Sequence, residues 1–572
     1  MAERVFRKAR ISIAGPTDRS EIYAMRHEVY AQELAQHKTN PDRMLSDALD
    51  NFNEYLTAHI DGQLAGFISI TPPCCGKYSI DKYIARDALP LQFDDTLYEL
   101  RILTVAKVHR SSGLAAVLMY AAFRWVEERN GEHIVAMGRT DVLSIYLKQN
   151  LRPLNHQIKA GAVTFELLEA TVKQMRAFVE RHHRFYKRLY GEVLWDVDFP
   201  FFKPACCFHG GAFFDAIGTG FDSLERKNTI VNADVLDAWF PPSPKMLDTM
   251  REHLPWLMST SPPTHSDGLK MAIARSRGVG KENILPGAGS SDLIYLAFRL
   301  WLNNSSRVLI LDPTYGEYVH VLENVIGCQV HRLVLSRYNQ YVVDLDELRE
   351  QAQMGYDLIV LVNPNSPTGQ HISRHDLERL LTCVPTDTRV WVDETYVDYT
   401  GPGESLEHFA SGSENIIVCK SMSKAYALSG IRAAYLCAPM HQLSELVFVT
   451  PPWAVSLPAQ VAAVRALEDE NYYMERYRET HCLRAELIRG LRIIGIEEII
   501  PGAANFVMCH LEPEHPTAAV LVSESRKYGV YLRDVSSMGS EVGSRALRIA
   551  VKGSETNALI VGTLNKVLMR SS

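Results

Sequence analysis

The sequence predicts an α/β protein of two domains, the second built on a mainly parallel sheet flanked by helices. Two observations carry this. The chain has 572 residues, and a single hydrophobic core stops growing at roughly 250–300 residues. Four short apolar runs, RVLILD (307–312), DLIVLV (357–362), RVWVD (389–393) and NIIVC (415–419), alternate with helix-like stretches. Near-continuous β-branched runs fit strands buried on both faces, as parallel strands covered by helices are.

A Phe-, Pro- and Gly-rich stretch, FPFFKPACCFHGGAFFDAIGTG, separates the two units. The expected divisions are residues 1–200, a connector over 201–228 and residues 229–572. Its phenylalanines are too many for a linker in free solvent, so the connector is expected to pack on one or both domains. Apolar residues make up 47% and charged residues 22%, which fits a folded enzyme rather than a disordered chain. A net charge of −7 supplies no basic field for nucleic acid. The first 200 residues carry no helix-turn-helix pattern, which argues against a DNA-binding regulator.

The opening MAERVFRKARISIAG lacks the apolar centre of a signal peptide, and no run approaches the ~18 apolar residues of a bilayer span. The expected setting is cytoplasmic, with no membrane partner. Ten cysteines show no CxxC spacing and are expected to act as small buried hydrophobes. The doublets Cys74-Cys75 and Cys206-Cys207, the latter near His209, diverge along the backbone, so no metal site is expected.

In the first unit, residues 98–118 read YELRILTVAKVHRSSGLAAVL, a strand, a glycine-containing loop and a helix. Such a loop can offer backbone amides to an anion at a helix N-terminus. The segment resembles the GNAT superfamily of acetyl-CoA-dependent N-acyltransferases. Upstream, MRHEVYAQEL and AHIDGQLAGFISI resemble its autoinducer synthase and N-acyl amino acid synthase branch. The resemblance implies a mixed α/β domain that binds acetyl-CoA or a longer acyl-CoA. Arg110, Gly113 and Ala115 would form the pyrophosphate loop, and Tyr146 would lie near the thioester sulfur. The usual Gly-Phe after that tyrosine is here Asn150-Leu151. Glu99 is a candidate general base. An active acyltransferase and a domain kept for binding, shielding or assembly both fit these residues.

In the second unit each apolar run ends in a polar cluster, and ligands of open parallel sheets bind beyond the carboxyl ends of the strands. The fourth run ends in SMSKAYALSGIR, with Ser421, Ser423, Lys424 and Arg432. A lysine amine can add to an aldehyde and later act as general base, while hydroxyls and a guanidinium suit a phosphate. PGAGSSDLI (286–294) precedes a helix-like stretch that would aim the amides of Gly289, Ser290 and Ser291 at the same anion. The third run ends in DETYVDY, with Asp393 and Tyr396; the second in NPNSPTG (363–369); the first in LDPTYGEY.

Together these clusters resemble the class I/II aminotransferases of fold type I, in particular the histidinol-phosphate aminotransferase subgroup, over about 340 residues. The resemblance implies a pyridoxal 5'-phosphate enzyme with the cofactor bonded to Lys424. Asp393 would sit at the ring nitrogen, Tyr396 at the phenolic oxygen and Tyr315 would stack on the ring. It further implies that Arg548, in SRALRIAV, pairs with the substrate carboxylate, with Asn505 close by and Arg533 a second basic candidate.

Two departures stand out. Where NPNNPTG is usual this chain has Ser366, so either Ser366 or Asn365 would meet the phenolic oxygen. Ser261 stands where a tyrosine usually crosses to the neighbouring subunit. A homodimer is still implied by resemblance. The expected partner is a small amino-acid substrate. Transamination leads; elimination, γ-replacement or decarboxylation, for example on S-adenosylmethionine beside a non-catalytic GNAT-like domain, is the alternative.

Overall fold

The computed structural model describes residues 9–571 except 74, 75, 111, 203–209, 219, 222 and 402. Both cysteine doublets and His209 fall outside the described residues. The chain forms two compact units, Met1–Ala205 and Cys206–Ser572, a division that falls inside the expected connector. No described helix is long and apolar enough to cross a membrane.

The first unit is an eight-stranded mixed sheet. Its strands are β1 (Ala9–Ile13), β2 (Glu54–Ile60), β3 (Gln63–Thr71), β4 (Leu97–Val105), β5 (His133–Arg139), β6 (Arg152–Ala160), β7 (Val163–Thr171) and β8 (Val193–Asp196), in the order β6-β7-β5-β4-β3-β2-β1-β8. The helix Leu114–Glu128 buries Leu118, Ala121, Ala122 and Phe123 against the sheet. β4 and β5 run parallel but pair only over Leu97–Leu100 and His133–Ala136. Beyond that they part, and Ile102 takes φ +51° where the β3–β4 register shifts. A bulge of this kind bends a strand and frees its backbone groups. The first part of the connector belongs to this unit: Phe201 is buried in its core, and its carbonyl accepts a hydrogen bond from Tyr120 Oη at 2.6 Å.

The second unit begins its framework with the short β9 (Val231–Asn232). The central sheet comprises β10 (Ile284–Gly287), β11 (Arg307–Asp312), β12 (Gln329–Val334), β13 (Leu358–Val362), β14 (Arg389–Asp393), β15 (Ile416–Ser421) and β16 (Ala434–Cys437), ordered β10-β16-β15-β14-β13-β11-β12. β15, β14, β13, β11 and β12 are mutually parallel, and β16 is antiparallel to both neighbours. The two-residue period of a strand divides these runs between two cores. Leu309, Leu311, Ile359, Leu361, Val390 and Val392 face one; Val308, Ile310, Leu358, Val360, Val362 and Trp391 face the other.

A smaller antiparallel sheet follows, from β17 (Glu498–Ile500), β18 (Phe506–His510), β20 (Arg533–Asp534) and β21 (Ala546–Ala550), while β19 (Val530–Tyr531) pairs with β9. It sets Arg533 opposite Arg548.

Candidate active site

The carboxyl ends of β11, β13, β14 and β15 open on a cavity of about 1000 Å³ lined by Lys424, Asp393, Tyr396, Tyr315, Ser366, Ser290, Ser291, Ser421, Ser423, Arg432, Arg533 and Arg548, among others. Residues from separate clusters thus meet in one place.

One end is an anion cradle. The helix Ser290–Trp301 starts there, capped by Gly289 at φ +102°. A Cβ on Gly289 would fall 2.4 Å from an Arg432 guanidinium nitrogen, so only glycine lets the arginine lie across the helix start. Arg432 itself takes φ +61°. The Ser421 and Ser423 hydroxyls lie 2.7 Å apart at the same wall.

Lys424 follows in the turn Met422–Ala425. Burial pushes its ammonium pKa down, while Asp237, whose Oδ1 accepts from Lys424 Nζ at 2.9 Å, works the other way. Asp237 is likewise opposed by burial but held below the usual carboxylate range by Lys424. Lys552 is half-buried beside this pair, donates to the Asp237 carbonyl at 3.1 Å and is pushed down to about 8 by desolvation.

Asp393 is buried at the end of β14. It accepts from Tyr318 Oη at 2.7 Å and from the Thr395 amide and hydroxyl at 3.0 and 2.7 Å, all neutral donors. Burial raises its pKa. Tyr396 packs edge-on against Phe506, and burial raises its pKa as well. Tyr315 Oη and Ser291 Oγ both donate to Glu317 Oε2, at 3.0 and 2.9 Å.

Of the two residues in question before the PTG, Ser366 lines the cavity and its hydroxyl accepts from Arg548 at 3.0 Å. Asn365 is buried behind the wall, donating to the Pro313 carbonyl at 2.9 Å, with no partner for its Oδ1 among the described residues. Asn505 also lies behind the wall, donating to the Leu236 carbonyl at 3.0 Å.

Arg548 is buried, faces the Phe506 ring at 5.6 Å and donates to the Asp234 carbonyl at 3.3 Å, with no partner for its Nε among the described residues. Burial lowers its pKa to about 10. Arg533 pairs at 3.4 Å with the Asp234 carboxylate. Gly211, Phe213 and Phe214, from the second part of the connector, also line this cavity.

Sequence reasoning missed Asp234, Asp237, Lys552 and these connector residues. Both aspartates lie just after β9 in VNADVLDAW, without a periodic pattern to mark them. Asp237 is 187 residues from the lysine it meets.

The first unit has its own cavity, of about 1120 Å³, where β4 and β5 part. Glu99, Arg110, Gly113, Ala115 and Tyr146 line it. Gly113, at φ +90°, opens the helix Leu114–Glu128. The ring of Tyr146 lies where a Cβ on Gly138 would come within 3.1 Å of it. Arg110 is tied to Glu33, with one contact at 2.7 Å, and to the Val105 carbonyl at 3.1 Å. Glu99 is fully buried and accepts from the Ser79 amide and hydroxyl and the Ile80 amide at 2.7, 2.6 and 3.2 Å. Those donors tie its carboxylate to the loop they come from.

The fold and the strand-end cavity define a fold-type I enzyme. Residues 243–561 match the family model for aminotransferase class I and II, and the chain belongs to that pyridoxal phosphate-dependent family. Residues 20–148 match the acetyltransferase (GNAT) family. A histidinol-phosphate aminotransferase of Methanocella arvoryzae is 31% identical over 300 residues, 52% of this chain and 79% of that protein. The fold resembles the histidinol-phosphate aminotransferase from Sinorhizobium meliloti, solved with pyridoxal-5'-phosphate, at TM-score 0.55 and 22% identity, over 65% of this chain and all of that one. It also resembles L-threonine-O-3-phosphate decarboxylase from Porphyromonas gingivalis at TM-score 0.53 and 23% identity, over 59% of this chain and all of that one.

Proposed function

We propose that the second unit transfers an amino group between an amino acid and a keto acid, with pyridoxal phosphate bonded to Lys424. The observation that carries this is the convergence of a buried carboxylate held by neutral donors, Asp393, with a half-buried lysine and a Gly289–Arg432 cradle. These residues fit the cofactor: Asp393 would meet a cationic ring nitrogen, and Arg432, Ser290, Ser291, Ser421 and Ser423 would hold a phosphate. When bound, the cofactor supplies an electron sink for the bonds at the substrate α-carbon. Asp393 would keep the ring nitrogen charged, because a buried carboxylate is most stable beside a cation. Tyr396 would donate toward the ring oxygen. Arg548 orients the substrate by its carboxylate, its planar fork setting rotation about the α-carbon. Lys424, with its pKa lowered, holds and returns the α-proton. The protein would act as a homodimer.

Borohydride reduction of the loaded protein followed by peptide mapping should place the label on Lys424. A label on another lysine, or none, would end this reading. Release of keto acid rather than carbon dioxide from the reacting amino acid separates transamination from decarboxylation, the reaction of one fold relative.

The first unit is proposed to bind acyl-CoA where β4 and β5 part, with the amides at the start of Leu114–Glu128 facing the pyrophosphate. With Arg110 tied to Glu33, the backbone rather than that guanidinium carries this contact.

A further inference from the structure

Among the described residues, the cavity of the second unit presents five cations, Lys424, Arg432, Arg548, Arg533 and Arg332. The first three have roles in the proposed reaction, toward the cofactor aldehyde, its phosphate and the substrate carboxylate. The other two already carry acidic partners. Arg332 pairs with Glu323 and lies 3.7 Å from Asp312. Arg533 pairs with Asp234, whose side chain is only 1% exposed.

Asp234 is fixed from several sides. The Gly211 amide donates to its Oδ2 at 3.2 Å, and a Cβ on Gly210, at φ +90°, would fall 2.6 Å from that oxygen. A ligand anion that took Arg533 away would strand a buried carboxylate without its cation, a costly change. Asp237 and Asp534 add two further carboxylates to the wall. The lining also brings in the apolar Phe213, Phe214, Val235 and Met538, the last flanked by the hydroxyl residues Ser537 and Ser540, with Phe213 edge-on to Tyr531.

We infer that the substrate of this site is an amino acid with an apolar or aromatic side chain and no second anionic group, and that Asp234 sets this preference by neutralising Arg533. The inference rests on the proposed role of Arg548 at the α-carboxylate. It separates this chain from relatives whose names specify a phosphorylated substrate.

Two amine-free analogues test it by calorimetry on the full-length, cofactor-loaded protein. Hydrocinnamate keeps the carboxylate and an aromatic ring; 3-phosphonopropionate keeps the carboxylate and adds a second anion. Hydrocinnamate should bind about ten-fold tighter or more. Asp234→Asn, which keeps the backbone carbonyl that meets Arg548, should narrow that ratio by about ten-fold or more, the scale of one charge-assisted contact. Should that buried substitution disturb folding, Phe213→Ala gives a second test: it should weaken hydrocinnamate alone. Tighter binding of 3-phosphonopropionate to the unaltered protein, or an unchanged ratio in the folded variants, would overturn the inference. Keto-acid release from L-phenylalanine is scored separately, so failure of the transamination reading would not be mistaken for failure of this one.

Discussion

Lys424 stands between two opposing influences: burial favours its neutral amine, and the Asp237 carboxylate at 2.9 Å favours the ammonium. Only the neutral amine can attack an aldehyde. Asp237→Asn removes the influence that raises the lysine pKa, so more neutral amine is present at a given pH. Cofactor capture by the variant, followed by absorbance after mixing with pyridoxal phosphate, should extend to lower pH than in the unaltered protein. An acid limb in the same place would show that the ion pair does not control the lysine. Lys424, Asp393 and Arg432 were legible in the sequence because each sits in a short motif at the end of an apolar run. Asp234 and Asp237 were not, since they matter only through contacts made across 299 and 187 residues. For Arg110 the loop was legible but its partner was not: Glu33 comes from a helical segment 77 residues earlier.

The strand ends that carry the site are joined beneath it by buried charge. Lys420, next to Ser421, lies 3.8 Å from Glu394, 3.6 Å from Asp398 and 3.2 Å from Glu407. Arg277 lies 3.4 Å from Glu407 and 3.6 Å from Asp398. Three carboxylates thus share two cations. Burial pushes Glu394 up to about 7 from 4.5. Burial would also raise Glu407, but Lys420 and Arg277 hold it down at about 2. The signs therefore differ. The folded state keeps a proton on Glu394 that the unfolded chain has released, so that stabilisation is full below about pH 4.5 and is lost as pH rises through about 7. For Glu407 it is present above about pH 4.5 and lost as pH falls toward 2. Glu394→Gln should flatten the stability–pH curve between those upper limits, whereas Glu407→Gln should cost about 3–5 kcal/mol at neutral pH, as removing one partner of a buried pair does. Urea unfolding across pH measures both; equal losses at neutral pH would refute the assignment. The four runs were legible as strands because both faces of each are apolar. This network was not, because its members are scattered polar residues whose alignment depends on the register between β14 and β15.

At the scale of the whole chain, the two units have separate cores and separate cavities, and the two families matched fall one on each. Composition singled out the Phe-, Pro- and Gly-rich stretch within which the chain divides. How its aromatics divide was not legible: Phe201 enters the core of the first unit, while Phe213 and Phe214 line the cavity of the second. Composition counts these aromatics but does not say which core or cavity each one joins. Units with independent cores should unfold in separate transitions, and a ligand stabilises only the fold that binds it, by about 2.7 kcal/mol at a hundred times its dissociation constant. For a unit near 200 residues this is a rise of roughly 5–10 °C. In calorimetric scans of the full chain, coenzyme A should raise one transition and leave the other, while pyridoxal phosphate should raise the other and leave the first. Coenzyme A that moves neither transition would remove acyl-CoA binding from the first unit. Pyridoxal phosphate that moves the transition assigned to that unit would show that the two folds are energetically coupled rather than merely joined.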